Sequence, residues 1–122
     1  MYEDEYARIW IENDILFLEY QHGLELTQKV ARVVVNSRIT YQQNREYAIF
    51  CDTSGIIEAD FEALTYLALE GLLLIKAIAF YPKFPPNILL TKFFLETLQE
   101  NIPADIFETK NQAINFLIPY SK

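Results

Sequence analysis

The sequence predicts an α/β fold: a mostly parallel sheet with an antiparallel hairpin at its N-terminal edge, in the order β-β-α-β-α-β-α-β-α. Three observations predict it. Two apolar, β-branched or aromatic runs near the N-terminus are separated only by Asn13-Asp14, short continuous apolar runs recur further on, and stretches with helical periodicity lie between them. Strands alternating with helices of ten or more residues imply right-handed crossovers and parallel pairing.

Ala7 to Glu12 and Ile15 to Tyr20 read as the hairpin, because Asn and Asp tolerate the positive φ of a two-residue turn. The segment before them, Glu3-Asp4-Glu5, reads as a frayed end. After a polar connection through His22 and Gly23, Thr27 is placed to cap a helix reaching about Gln43. Val30, Ala31, Val34, Val35 and Ile39 lie on one broad face of it. Tyr47 to Asp52 is a continuous apolar run, the pattern of a strand covered on both faces.

Thr53-Ser54-Gly55 is the next turn, where Ser54 is expected to bond the local backbone and Gly55 to supply a permissive φ. Asp60 is placed as an N-cap with Glu62 in the first turn. Phe61, Leu64, Leu67, Ala68 and Leu72 form the next apolar stripe, and Gly71 marks the end of the helix. Lys76 to Tyr81 is a further buried strand. Beyond the loop Pro82-Lys83-Phe84-Pro85-Pro86 the pattern predicts a helix from about Asn87 to Gln99 and a short strand over Asp105 to Glu108. A last helix opens on Thr109 with Gln112, with Ala113, Phe116 and Leu117 facing in. No repeat, linker or composition shift divides the chain, so residues 1–122 read as a single domain.

Composition narrows the function classes. The 122 residues are 52% hydrophobic and 15% aromatic, which excludes a disordered chain and gives material for a core. Ten Lys and Arg stand against 17 Asp and Glu, for a net charge of −7. That average field repels phosphate backbones and anionic bilayers, so neither nucleic acid nor membrane is an expected partner. Cys51 and His22 are the only residues of their types. No intramolecular disulfide can form, no metal or other cofactor is expected, and a reducing cytoplasmic setting fits. Met1 is followed by Tyr-Glu-Asp-Glu, which does not read as a secretory leader.

Asp52, Ser54, Gly55 and Ile56, followed by Asp60 and Leu64, resemble the STAS family of bacterial anti-anti-sigma factors and their SpoIIAA-like relatives. The family pattern there is Asp-Leu-Ser-Gly-Val, three variable residues, then Asp-Ser-Ser-Gly-Leu. The closing stretches Ile106 to Thr109 and Ala113 to Leu117 resemble the family's last strand and helix. The resemblance implies a SpoIIAA-like fold and a regulatory role exerted through protein binding. In anti-anti-sigma factors the first serine after the second Asp accepts phosphate, and the added charge releases the partner. That position is Phe61 here, followed by Glu62 and Ala63, so the resemblance implies no phosphoswitch at this site.

No residue set reads as catalytic. A nucleophilic Cys51 would need a base, and the lone His22 sits in another loop, so a buried structural cysteine is the expectation. Glu58, Asp60 and Glu62 are explained by capping and dipole complementarity, and the single glycine at 55 does not make a phosphate loop. The expected binding surface therefore comprises Asp52, Thr53, Ser54, Asp60, Phe61 and Glu62, with Tyr81 and Phe84 of the proline loop and Phe93 and Phe94 of the next helix. Its occupant is expected to be a second copy or another protein. The alternative is a small apolar ligand held under the 81–86 loop.

Overall fold

The computed structural model describes residues 1–83, 91–92, 95–96 and 102–121. Strands are β1 Tyr2–Glu3, β2 Ala7–Glu12, β3 Ile15–Tyr20, β4 Leu24–Leu26, β5 Tyr47–Asp52, β6 Ile56–Ala59, β7 Ile75–Tyr81 and β8 Ala104–Ile106. Helices are α1 Gln28–Gln42, α2 Phe61–Glu70 and α3 Lys110–Leu117, with a 3-10 turn at Ile118–Tyr120. Among the described residues six strands form one sheet in the order β1-β2-β3-β5-β7-β8, and β4 pairs with β6 in a small second sheet. From β3 onward the large sheet is parallel, while β1-β2-β3 is an antiparallel meander.

The hairpin turn has φ of 53° at Asn13 and 63° at Asp14, the two left-handed residues that a type I′ turn demands. The N-terminus is not frayed. β1 adds an outer strand, and Asp4 Oδ1 accepts from the amides of Tyr6 and Ala7 at 2.8 and 2.9 Å, pinning the bend between β1 and β2. The two-strand edge expected from sequence is thus three strands wide. β5 is buried at all six positions, as its continuous apolar run predicts. Of the helix expected over 87–99, Thr91, Lys92, Leu95 and Glu96 are described and helical, while Phe84, Phe93 and Phe94 lie outside the described residues. The last strand is Ala104–Ile106 rather than Asp105 to Glu108.

Period-two alternation sorts the sheet's side chains onto two faces. One carries Ile9, Leu16, Leu18, Ile49 and Ile78 and is covered by α1 and α2. The other carries Phe17 and Phe50 with Ala48, Ala77 and Ala79 and is covered by α3, through Ala113 and Leu117. The three alanines leave room for that helix to come close. Phe116, expected inward, is half-buried and packs against Phe107 and Tyr120 at 5.1 and 5.9 Å. On the same face an aromatic row crosses four strands. Trp10 lies flat on Phe17 at 5.2 Å, Phe17 meets Phe50 at 5.4 Å and Phe50 meets Tyr81 at 5.8 Å.

The buried face of α1 includes two polar residues besides the apolar ones that the sequence pattern picks out. Arg38 and Gln42 are each 2% exposed and continue the line of Val34 and Val35. Arg38 Nη1 donates to the Leu73 carbonyl at 3.0 Å and to Gln42 Oε1, and Nη2 donates to the Gly71 carbonyl at 3.0 Å. Gln42 Nε2 donates to the carbonyls of Arg45 and Leu74, both at 2.9 Å. None of these acceptors is a carboxylate. The cation instead sits where α2 ends, near the negative pole of its dipole, on the carbonyls of the C-cap Gly71 and of Leu73 in the turn that follows. Burial pushes its pKa down to about 10, which leaves it charged at neutral pH. The network also holds Leu74, a non-glycine residue at φ 65°, in the turn leading into β7.

Candidate partner-binding surface

The segment between β5 and α2 carries most of the sequence-predicted site, and its backbone is tied down at every step. Asp52 Oδ1 accepts from the Ser54 amide at 2.9 Å and from Ser54 Oγ at 2.6 Å. The Thr53 amide donates to the Tyr81 carbonyl at 3.3 Å and the Ile56 amide to the Thr53 carbonyl at 3.1 Å. Gly55 is required for a reason other than φ. A Cβ there would stand 2.6 Å from the Tyr20 carbonyl oxygen and closer still to that of Gln21, so the turn lies against the backbone leaving β3. The Gly55 carbonyl then accepts from the Leu24 amide at 3.1 Å, which joins β4 to β6.

β6 carries one residue more than β4 between their first two pairs. That residue, Ile57, is 68% exposed. Asp60 caps α2 as the sequence predicts: its Oδ1 accepts from the Ala63 amide at 2.8 Å, and Glu62 stands exposed in the first turn. Phe61, expected both in the apolar stripe and on the binding surface, is 69% exposed: it stands at the first position of α2, at the edge of the face that Ala63, Leu64 and Ala68 bury.

The predicted residues therefore divide. Asp60, Phe61 and Glu62 are exposed, as are Ile57 and Glu58 just before them, so apolar and acidic side chains face solvent together over residues 57–62. Asp52 and Thr53 are buried and Ser54 is half-buried. Thr53 Oγ1 lies 3.2 Å from Thr91 Oγ1 in a buried pair, a partner that no local pattern announced. Tyr81 is turned toward Phe50 on the sheet face opposite α2, so it does not share a surface with Phe61.

Two concavities adjoin this region. An apolar cavity of about 60 Å³ lies between the sheet, α1 and α2, bordered by Leu18, Val34, Cys51, Leu64, Phe80 and Thr91. It is smaller than the several hundred Å³ of a typical ligand site. Cys51 is buried there, and desolvation, reinforced by the neighbouring Asp52 charge, pushes its thiol pKa far up. A thiol held protonated is not a nucleophile. The second, about 530 Å³, opens at the carboxyl ends of β7 and β8, with Pro82, Leu95, Ile106 and Phe107 on its walls beside Lys92, Glu96, Asp105 and Glu108. Among the described residues no group of His, Cys, Asp or Glu could hold a metal, and no helix is long and apolar enough to cross a membrane.

This architecture, a mostly parallel sheet with α1 and α2 on one face and the segment from Asp52 to Asp60 leading into α2, is a SpoIIAA-like (STAS) fold. The crystal structure of an uncharacterized DUF3478-family protein with a SpoIIAA-like fold, from Shewanella loihica PV-4, matches it with a TM-score of 0.65. The identity is 15%, over 96% of this chain and 98% of that one. The chain belongs to the family described as a domain of unknown function, DUF7793, which matches residues 9–121. Among curated proteins none matches.

Proposed function

We infer that residues 1–122 act as a single non-enzymatic, STAS-like regulatory domain of the bacterial cytoplasm that works by binding a protein partner or a second copy of itself. The observation that carries this reading is Phe61, a large apolar side chain 69% exposed at the first position of a helix whose N-terminus is capped by Asp60. A rigidly placed exposed aromatic loses little entropy on capture and is the type of residue that dominates binding energy. The reading includes no phosphoswitch. Phe61 has no hydroxyl, Thr53 is buried, and the Ser54 hydroxyl donates to Asp52.

Phe61→Asp is expected to weaken retention of the partner from an extract of the producing organism by about tenfold or more. Its melting temperature should stay within about 2 °C of the parent, because an exposed side chain contributes little to folding. Ile118→Asp, at another exposed apolar position, should retain the partner fully. Equal retention by both variants would sink the reading.

A second reading is favoured by the larger concavity, whose walls of Pro82, Leu95, Ile106 and Phe107 adjoin the proline loop: a small apolar ligand would sit there. Ile106→Trp should then abolish binding of an apolar probe such as anilinonaphthalene sulfonate. Binding that survives this substitution would remove the reading.

A further inference from the structure

The exposed apolar surface does not end at Phe61. Of the seven large apolar side chains exposed among the described residues, four fall within positions 57–73: Ile57 at 68%, Phe61 at 69%, Leu69 at 58% and Leu73 at 59%. Phe61, the exposed Thr65 and Leu69 stand at i, i+4 and i+8, so they form one line along the outward side of α2, roughly 12 Å long at 1.5 Å per residue. Ile57 on the β6 bulge precedes the line and Leu73 in the turn follows it.

Charge selects the occupant. Glu58, Asp60, Glu62 and Glu70 border the line, and from Glu46 to Ile75 the sequence holds no Lys or Arg. A second copy laid on this face would set carboxylates against carboxylates with only Arg32 of α1, stacked on Tyr66 at 4.6 Å, to offset them, and an anionic membrane would meet the same repulsion. A segment whose apolar stripe is flanked by Lys or Arg meets both features at once. The platform is held at both ends, by the Asp60 cap and by the Arg38 bonds to the Gly71 and Leu73 carbonyls, so docking on it orders little of this chain.

We propose that the outward face of α2, from Ile57 through Phe61 and Leu69 to Leu73, docks a cationic amphipathic helix of a partner protein. This rests on the reading of Phe61 as a partner contact and extends it to the far end of the helix. The test uses three synthetic peptides of about 18 residues, long enough to cover the face. One is leucine and lysine with the leucines on one helical face, one has the same composition with the leucines scattered, and one has glutamate in place of lysine. Binding to the full chain is measured by titration calorimetry and mapped by amide chemical shifts.

The ordered lysine peptide should bind about tenfold or more tightly than the scattered one, and the glutamate peptide should not bind. Phe61→Ser and Leu69→Ser should each weaken binding about fivefold or more, while Ile118→Ser leaves it unchanged. Equal binding of the ordered and scattered peptides would overturn the proposal, since charge alone would then suffice. Loss with Phe61→Ser but none with Leu69→Ser would overturn the extension and leave the Phe61 reading standing. Indifference to both would overturn both, and self-association at micromolar concentration that Leu69→Ser abolishes would make a second copy the occupant.

Discussion

Replacing Arg38 with methionine is expected to destabilise the protein by about 3 kcal/mol or more, although methionine fills much of the same volume. The guanidinium is 2% exposed and donates to three acceptors, the carbonyls of Gly71 and Leu73 and Oε1 of Gln42. Removing it strands Gln42 Oε1 and the Gly71 carbonyl in buried positions and unpairs the part-buried Leu73 carbonyl, and each stranded buried acceptor costs about 1–3 kcal/mol. The charge is compensated by the end of α2 rather than by a carboxylate, so the loss also removes a favourable dipole interaction of up to about 2 kcal/mol. Arg38→Lys should fall between, because an ammonium keeps the charge but cannot span the two carbonyls. The midpoint of urea unfolding should drop with little change in slope. A loss below about 1 kcal/mol for Arg38→Met would mean the network contributes no more than an exposed ion pair.

Gly55→Ala is expected to cost about 2 kcal/mol or more, a large effect for a single methyl group. The added carbon would collide with two backbone oxygens, those of Tyr20 and Gln21, and backbone cannot rotate away as a side chain can. Relief would require the turn to lift from β3, which strains the bond from the Leu24 amide to the Gly55 carbonyl and with it the pairing of β4 and β6. Gly23→Ala separates the two kinds of glycine requirement. Gly23 has φ +77° and open space for 4 Å around the place a Cβ would take, so only conformational strain of about 1 kcal/mol applies. Equal losses at the two positions, measured by thermal unfolding, would refute the steric account of Gly55.

Much of this fold was legible because its local chemistry is decisive. Asn13-Asp14 can hardly be anything but a tight hairpin turn. Tyr47 to Asp52 is too continuously apolar to lie anywhere but mid-sheet, and Asp60 and Thr109 cap their helices as their positions predict. β4 and β6 were not legible. They are three and four residues long, too short to show a period, and are defined by pairing with each other across more than two dozen intervening residues. Arg38 and Gln42 escaped because charge and amide groups read as solvated. The available signal was their spacing, since 34, 38 and 42 extend one line of the helix that already carries Val35 beside it.

The candidate surface was half legible. Asp52, Ser54, Gly55, Ile56 and Asp60 stood out by motif, while Phe61 belonged both to the apolar stripe and to the expected surface, and its exposure follows from its place at the first position of α2. Small side chains at 63 and 68 let α2 pack closely on α1. The burial of Thr53 against Thr91 joins residues 38 apart in sequence, which no local reading could have supplied.

The stacking of Trp10 on Phe17 has a practical spectroscopic meaning. The chain holds one tryptophan, so its indole emission comes from a single place, the paired strands β2 and β3 on the α3 side of the sheet. Fluorescence will therefore report melting of the hairpin and remain silent to events on α2, which lies behind the other face. A binding study that relied on intrinsic emission would miss its target, whereas a tryptophan introduced at Thr65 would place the reporter where a partner is expected to land.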